Sequence, residues 1–389
     1  MSNQEAKRNA PAHEPIPAPV AKSPEILDGN KVVFRIYAPM AGEVTIAGEW
    51  DTEIRSAGLP LTKDEDGIWS TTVTLAPDYY TYNLFVDGVP TLDPANTWVK
   101  PGRMQLRNIV DVPGAAHAFA DVQSVPHGEV RMVWYDSPTI GGPRRMHVYT
   151  PPGYDAGHDS YPVLYLLHGG GDDDSGWPTI GRAGFILDNL LAARLAQPMI
   201  VVMPNGSIDV PGFTFFLSEE ERKSPAAVQK RMDTIAKMHD TFVADLLTTI
   251  MPLVESRYRA ITDRDHRAIA GLSMGGAQTL RVAPIHLDLF SYIGVFSMGL
   301  QRGHDAGVKD DFEERNHKFL SDPARSNELV NLFVVASGKD DGIVTDGPRL
   351  LSETLTRYGI KHDFVESEGG HTWINWRQYL HDFAQKLFR

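Results

Sequence analysis

The sequence predicts a small β-sandwich followed by a larger α/β domain with a mostly parallel sheet and helices on both faces. Three observations support this prediction. The length of 389 residues is about two to three times that of a typical domain. Apolar residues alternate with a period of two from about residue 30 to 112. After residue 128, short apolar runs alternate with helical windows, which is typical of an α/β domain.

Charge and composition exclude several classes of protein. The 37 Lys and Arg against 50 Asp and Glu give a formal net charge of −13, and no dense basic run offsets it. We therefore expect no nucleic-acid or anionic-membrane partner. No apolar stretch is long enough for a transmembrane helix, and the polar start of the sequence leads us to expect no uncleaved signal peptide. The absence of cysteine excludes disulfides, thiolate metal sites and cysteine nucleophiles.

The N-terminal region divides into three predicted segments. Residues 1–24 are rich in proline and alanine and are expected to form a disordered tail. Residues 25–112 contain β-branched and aromatic runs separated by turn signals such as Asp87-Gly88, which predict a β-sandwich. Residues 113–127 are interpreted as a linker. The predicted strands lie at Val33–Tyr37, Glu43–Ala47, Trp69–Leu75 and Tyr80–Val86.

Residues 128–389 are predicted to form the α/β domain. Continuous apolar runs of this length are typical of parallel strands that are buried on both faces. They lie at Tyr161–Leu167, Pro198–Met203, Tyr292–Phe296 and Leu332–Ala336. Helical windows lie near 181–196, 239–258, 277–283, 347–358 and 373–388.

One motif points to nucleophilic catalysis. An apolar run leads into Gly271-Leu272-Ser273-Met274-Gly275 and then into a helical window. This G-x-S-x-G pattern between a strand and a helix permits a tight turn that exposes the serine side chain at the carboxyl edge of the sheet. We therefore predict that Ser273 is a nucleophile.

A serine nucleophile needs a base, and the base needs an acid that orients it. In α/β-hydrolases the chain order is serine, acid, histidine. The loop Ser337–Gly342 follows a predicted strand and offers Asp340 and Asp341 as acids. His371 lies farther along, in a glycine-rich loop, and is the predicted general base.

A glycine-rich segment predicts the oxyanion hole. His168-Gly169-Gly170-Gly171 follows a buried strand at the place where α/β-hydrolases supply one oxyanion amide. The residue after the nucleophile supplies the other. We assign these amides to Gly170 and Met274, and we expect His168 to be structural.

These motifs resemble carbohydrate esterase family 1, which includes feruloyl and acetylxylan esterases. The resemblance rests on Tyr165–Gly171, on Asp263–Gly276 and on Gly369–Trp373, and it covers roughly residues 128–389. It implies Ser273 as nucleophile, His371 as general base and the last aspartate of a Gly-x-x-Asp loop as the acid. That aspartate is Asp341. No cofactor is implied.

Residues 30–100 resemble a family 48 carbohydrate-binding module, an early-set, immunoglobulin-like sandwich. The resemblance rests on Phe34–Pro39, Asp66–Trp69, Tyr82–Gly88 and Asp93–Asn96. Gly48-Glu49-Trp50-Asp51-Thr52-Glu53 departs from the usual pattern of such modules, which counts against glucan binding. The domain is instead expected to pack on the esterase domain and to shape the substrate entrance.

Aromatic side chains near the predicted site are candidates for substrate contacts. Phe213, Phe215 and Phe216 follow a strand end at the catalytic edge, where they would either form a buried plug or stack on an aromatic acyl group. Trp373 is the fourth candidate. The run Asp172–Asp174 is interpreted as a solvated acidic turn, and we predict no metal site.

The function expected from these features is that of a serine carboxylesterase. It would release ferulate or related hydroxycinnamates from arabinoxylan or xylo-oligosaccharides through an acyl-enzyme. Acetylxylan esterase and enterobactin-type siderophore esterase are the enzymatic alternatives, and a carbohydrate-binding protein with a decayed hydrolase domain is the non-enzymatic one. We expect a secreted or periplasmic protein, with a cytoplasmic location and a homodimer left open.

Overall fold

The computed structural model describes residues 21–50, 58–213, 218–300 and 310–389. Phe215, Phe216 and most of the predicted N-terminal tail lie outside these residues, as do Asp51, Thr52 and Glu53. The described chain forms a β-sandwich followed by an α/β domain, as the sequence predicts.

The sandwich consists of two antiparallel sheets. One has the strand order β1-β2-β6-β5 and the other has the order β4-β3-β7-β10-β9, with β8 paired to β7. Alternate side chains point into the core between the sheets, which includes Phe34, Ile46, Tyr82 and Val110. The strands are β1 (Glu25–Leu27), β2 (Lys31–Tyr37), β3 (Val44–Gly48), β4 (Leu59–Pro60), β5 (Thr62–Lys63), β6 (Ile68–Thr74), β7 (Asp78–Val86), β8 (Val89–Thr91), β9 (Val99–Lys100) and β10 (Arg107–Val112).

The α/β domain contains a mixed sheet of eight strands in the order β11-β12-β14-β13-β15-β16-β17-β18. The six strands from β14 to β18 in this order run parallel, whereas β11 and β12 join them in antiparallel pairing. The strands are β11 (Glu129–Ser137), β12 (Gly142–Thr150), β13 (Val163–Leu167), β14 (Ile200–Pro204), β15 (Arg267–Leu272), β16 (Tyr292–Phe296), β17 (Leu332–Gly338) and β18 (Asp363–Ser367).

Helices cover both faces of this sheet, and each face has its own apolar cluster. None of the helices in the described part of the chain combines the length and apolarity needed to cross a bilayer. The α-helices are Ala183–Ala192, Glu219–Arg222, Pro225–Asp245, Met251–Arg257, Met274–Val282, Phe312–Arg315, His317–Ser321, Pro323–Leu329, Gly347–Arg357 and Trp373–Ala384.

The long helix Pro225–Asp245 begins before the helical window that the sequence indicates near 239–258. Its buried residues are Met238, Phe242 and Asp245, all in its C-terminal half. The first half of the helix is exposed or only partly buried, although Val228, Met232 and Ile235 recur there at helical spacing. Ser224 caps this helix, since its side chain accepts a hydrogen bond from the Ala227 amide.

The two domains share a buried interface. Tyr79 of β7 and Ile109 of β10 belong to the same apolar cluster as Trp177 and Ile180 of the α/β domain. Arg377, which is 1% exposed, crosses between them. Its guanidinium pairs with the Asp78 carboxylate and donates to the carbonyls of Tyr79 and Ile180 at 3.0 and 2.8 Å. The interface therefore combines apolar burial with a satisfied buried cation.

Replacing Arg377 by Met should lower the free energy of unfolding by about 3–5 kcal/mol, because it leaves Asp78 and two carbonyls without their buried partner. Thermal or chemical denaturation measures this loss. Lys386→Met is the matched control, because Lys386 pairs with Asp363 on the surface, where the two side chains are 48% and 50% exposed. It should cost about 1 kcal/mol or less. Equal effects of the two substitutions would contradict a buried role for Arg377.

Candidate active site

Ser273 occupies a strained turn between β15 and the helix Met274–Val282. Its φ is 51° and its ψ is −115°, a conformation that non-glycine residues rarely adopt. The flanking glycines make this turn possible. A Cβ on Gly271 would lie 2.3 Å from the carbonyl carbon of Gly275, and one on Gly275 would lie 2.7 Å from the His168 oxygen. The G-x-S-x-G spacing thus reflects the close approach of strand, helix and neighbouring loop.

His371 and Asp341 form a hydrogen-bonded pair at the same edge of the sheet. The His371 Nδ1 atom lies 2.8 Å from Asp341 Oδ2 and 3.1 Å from Oδ1. Asp341 lies in the loop after β17, and His371 lies in the loop after the neighbouring β18. Of the two acids left open by the sequence, Asp341 contacts His371, whereas Asp340 is exposed.

Asp341 is a buried carboxylate that remains ionised. Burial by itself would raise the pKa of Asp341, but the hydrogen bond from His371 and the amides of Val344 and Ile343 outweigh it and hold the pKa below its ordinary value. The two amides lie 3.2 and 3.1 Å from Oδ1. An ionised acid in this position fixes the imidazole with its Nε2 atom free to accept a proton.

Trp376 is a supporting residue that sequence reasoning missed. Its ring meets the His371 ring edge-on, with the centroids 5.0 Å apart and an interplanar angle of 89°. Its indole N–H donates to Ser297 Oγ at 3.0 Å. The contact limits rotation of the imidazole. An aromatic residue one helical turn beyond Trp373 was the signal available in the sequence.

The loop His168–Gly171 is fastened from the inside by His168. The side chain is buried, its Nε2 accepts the Gly206 amide at 2.9 Å, and its Nδ1 donates to the Gly169 carbonyl at 2.8 Å. Burial lowers the pKa of His168, so the ring is neutral, as these two bonds require. Gln278 of the helix after Ser273 donates to the Gly206 carbonyl at 2.8 Å. These contacts give His168 a structural position.

The two predicted oxyanion amides lie on elements that flank Ser273. Met274 is the first residue of its helix, where backbone amides have no intrahelical acceptor. Gly170 is exposed in a turn closed by the Asp172 amide, which donates to the Gly169 carbonyl at 3.3 Å. A Cβ on Gly169 would lie 3.5 Å from the Cβ of Ser273, so this turn adjoins the serine.

The acidic run after this loop is ion-paired, which corrects the expectation of a solvated turn. Lys100 pairs with Asp172, and Arg145 contacts Asp173 at 3.2 Å and Asp174 at 2.7 Å. The Asp174 side chain is fully buried and also lies 2.8 Å from His147. Among the residues that the structure describes, no group of three or more His, Asp or Glu side chains is arranged to hold a metal ion.

The candidate substrate contacts have mixed outcomes. Phe213 is half-buried against the core, and the guanidinium of Arg231 lies 5.6 Å from its ring centroid. Phe215 and Phe216 lie outside the described residues. Trp373 is 3% exposed and packs edge-on against Trp177 at 5.2 Å. Its ring therefore packs in the core, and its predicted contact with substrate stays a prediction.

The mixed sheet, the strained serine turn and the histidine–aspartate pair define the α/β-hydrolase class of esterases. Residues 137–387 match the family model described as "Putative esterase". This match covers more than half of the chain, so the chain belongs to that esterase family, whose members hydrolyse carboxylic esters. Residues 20–96 match the model described as "Carbohydrate-binding module 48 (Isoamylase N-terminal domain)".

Curated relatives match over long segments. The chain is 27% identical over 402 residues to an endo-1,4-beta-xylanase/feruloyl esterase of Xylanibacter ruminicola, covering 100% of this chain and 49% of that protein. It is 30% identical over 281 residues to an esterase of Mycobacterium tuberculosis, covering 61% of this chain and 55% of the relative. The chain thus spans about half the length of these relatives.

Solved structures show the same fold. A CE1 ferulic acid esterase from Anaeromyces mucronatus, solved with ferulic acid, aligns with a TM-score of 0.54 and 25% identity over 69% of this chain and 93% of that one. The enterobactin esterase of Shigella flexneri aligns with a TM-score of 0.62 over 91% of this chain and 92% of that one. Its identity is 16%, so this second likeness concerns the fold alone.

Asp341→Asn should lower kcat by about 10⁴-fold, because the amide no longer fixes the imidazole tautomer or stabilises the imidazolium. Asp340→Asn is the matched control and should have a much smaller effect, since Asp340 is exposed. Steady-state kinetics on one ester measures both. The opposite ranking would show that Asp340 is the functional acid.

Activity should fall on acidification, because a protonated His371 cannot accept the serine proton. The lowered pKa of Asp341 keeps this acid ionised over the same range, so the loss reports the imidazole. The measurement is kcat/KM between about pH 5 and 8, where histidine side chains titrate. A rate that stays constant down to about pH 5 would argue against a histidine base. His371→Ala should remove this dependence together with most of the activity.

Proposed function

We propose that the protein is a serine carboxylesterase that releases ferulate or a related hydroxycinnamate from plant-cell-wall arabinoxylan. The observation that carries the proposal is the His371–Asp341 pair at the sheet edge that also presents Ser273. The relative named endo-1,4-beta-xylanase/feruloyl esterase and the ferulic acid esterase structure support the choice of acyl group.

The proposed reaction begins with acylation of Ser273. His371 Nε2 accepts the hydroxyl proton while Ser273 Oγ attacks the ester carbonyl, and Asp341 stabilises the imidazolium. The amides of Gly170 and Met274 donate to the carbonyl oxygen as it becomes negative. The tetrahedral intermediate then collapses, and His371 returns the proton to the departing sugar hydroxyl. Ferulate is left on Ser273 as an ester.

Deacylation repeats these steps with water. His371 removes a proton from the water as it attacks the acyl-enzyme carbonyl, and the same two amides stabilise the second tetrahedral intermediate. As this intermediate collapses, His371 returns the proton to Ser273 Oγ, which releases the carboxylic acid and restores the Ser273 hydroxyl. All of these roles belong to side chains and amides of this chain. The proposed substrate is a feruloylated arabinoxylan or oligosaccharide, and because this polymer lies outside cells, we also propose an extracellular or periplasmic location.

A siderophore esterase is an alternative that the fold permits, because the enterobactin esterase shares the fold of both domains. Acetylxylan esterase activity is a further alternative, because the chain is 24% identical over 254 residues to an acetyl esterase of Caldicellulosiruptor saccharolyticus. The three substrates differ in the acyl group that would be transferred to Ser273. It is an aromatic propenoyl group in the first, a catecholate-bearing seryl group in the second and an acetyl group in the third.

Ser273→Ala should reduce kcat by about 10⁶-fold, leaving the rate that the amides and substrate binding provide. The fold should persist, and a fluorophosphonate should label the wild type but not the variant. If the purified variant keeps more than a few per cent of the activity, Ser273 is not the nucleophile.

The substrate class is tested with methyl ferulate, a feruloylated arabino-oligosaccharide, acetylated xylan and a cyclic catecholate triester. We expect the highest kcat/KM for the feruloylated oligosaccharide, because contacts to the sugar contribute binding energy. Preference for the triester or for acetylated xylan would support the corresponding alternative instead. If the protein hydrolyses none of these esters and a fluorophosphonate does not label it, the result would support a decayed hydrolase domain.

A further inference from the structure

We propose that Lys100 and Glu49, two residues of the β-sandwich, are positioning residues for the catalytic loops of the α/β domain. Lys100 holds the loop that carries the Gly170 amide, and Glu49 holds the start of the helix that follows His371. This inference rests on the proposed serine mechanism. It adds the claim that the N-terminal domain is required for the geometry of catalysis.

Lys100 reaches the oxyanion loop through a nearly buried ion pair. Its ammonium contacts the carboxylate of Asp172, and the two side chains are 7% and 14% exposed. Asp172 is two residues beyond Gly170 and closes the turn through its amide bond to Gly169. Desolvated charges bind strongly only in a narrow range of geometries, so this pair fixes where the turn lies.

A backbone contact strengthens the same junction. The segment 101–106 connects β9 to β10, and the Met104 amide in it donates to the Gly171 carbonyl at 3.3 Å. A Cβ on Gly102 would lie 3.2 Å from the Gly171 oxygen, so the two backbones are in close apposition. The sandwich therefore touches two consecutive residues of the loop, Gly171 and Asp172.

The α/β domain itself holds the other half of this loop. Arg145 and His147 of β12 bind Asp173 and Asp174, farther from Gly170. Asp172, by contrast, pairs with a cation from the sandwich. Loss of the Lys100 contact would therefore free the half of the loop that carries the Gly170 amide while leaving its anchor in the α/β domain intact.

Glu49 makes the second connection, at the histidine loop. Its Oε1 accepts the Trp373 amide at 3.2 Å, and its Oε2 accepts the Thr81 amide of β7 at 2.7 Å. Trp373 is the first residue of its helix, and the side chain of Thr372 makes no capping bond to the backbone. A carboxylate from the other domain thus caps this helix, where negative charge is favourable.

This cap lies between two residues that define the imidazole position. His371 is two residues before Trp373, and Trp376, whose ring packs against His371, is three residues after it. Glu49 is itself fixed, since its amide donates to the Thr81 carbonyl at 3.0 Å. A shift of the helix start would move both the base and the ring that limits its rotation.

Positioning errors of about 1 Å cost on the order of 10²-fold in rate. We therefore expect Lys100→Met and Glu49→Ala in the full chain to lower kcat for methyl ferulate by about 10- to 100-fold, with KM changed by about twofold or less. Lys100→Arg, which keeps the cation, should recover much of the lost kcat. The matched controls are Lys22→Met and Glu25→Ala, because these residues pair with each other at 3.3 Å within the sandwich. Both controls should retain the wild-type kcat.

Active-site titration with a fluorophosphonate separates positioning from simple unfolding. Under the proposal each folded Lys100→Met or Glu49→Ala molecule still takes up one label, but more slowly, and kcat per labelled site is reduced. Variants with a reduced labelled fraction and the wild-type kcat per site would overturn the inference, because their defect would be stability alone. If Ser273→Ala is inactive while both variants keep the wild-type kcat, this inference fails and the proposed function stands. An active Ser273→Ala variant would overturn the proposed function itself.

Discussion

The close packing of β15 against the helix Met274–Val282 is the constraint on which the rest of the site depends. It requires residues without a Cβ at Gly271 and Gly275, and it leaves Ser273 with a φ of 51°. Strain of this kind persists only where the surrounding structure enforces it. Here the enforcement comes from a central strand with parallel neighbours on both sides and from the backbone of the preceding loop at His168. The same packing places the serine at the edge where the other loops end.

Three loops lie at the same sheet edge as the serine, and polar contacts fasten each of them. His168 joins the first loop to Gly206 after β14, and Gln278 joins the helix after Ser273 to the same residue. The buried Asp341 carboxylate joins the loops after β17 and β18. The sandwich adds contacts from outside through Lys100 and Glu49. Glycine-rich loops are flexible by themselves, and such contacts supply the rigidity that electrostatic catalysis needs.

Local patterns in the sequence predicted the parts of the structure that local chemistry determines. A buried parallel strand appears in the sequence as an apolar run, and the serine turn appears as a five-residue motif. Both are recognisable because the residues that each structure requires are adjacent in the chain. The edge strand β11 was missed together with its partner β12, and β11 exposes the apolar residues Val130, Met132 and Trp134 on the surface. The contacts of Lys100 and Glu49 join residues that are 72 and 324 positions apart. No local pattern contains such pairs.

Two residues of the segment that departs from the pattern of sugar-binding modules, Glu49 and Trp50, make structural contacts in this chain. Both carboxylate oxygens of Glu49 accept hydrogen bonds from backbone amides, one in each domain. Trp50 stacks on Phe34 with the ring centroids 5.5 Å apart. A surface that presented these side chains to a glucan would lose both contacts. The described residues Glu49 and Trp50 are thus engaged in contacts within this chain. The Glu49 carboxylate caps the helix that starts two residues after His371. The position of the proposed catalytic base therefore depends on a side chain of the sandwich.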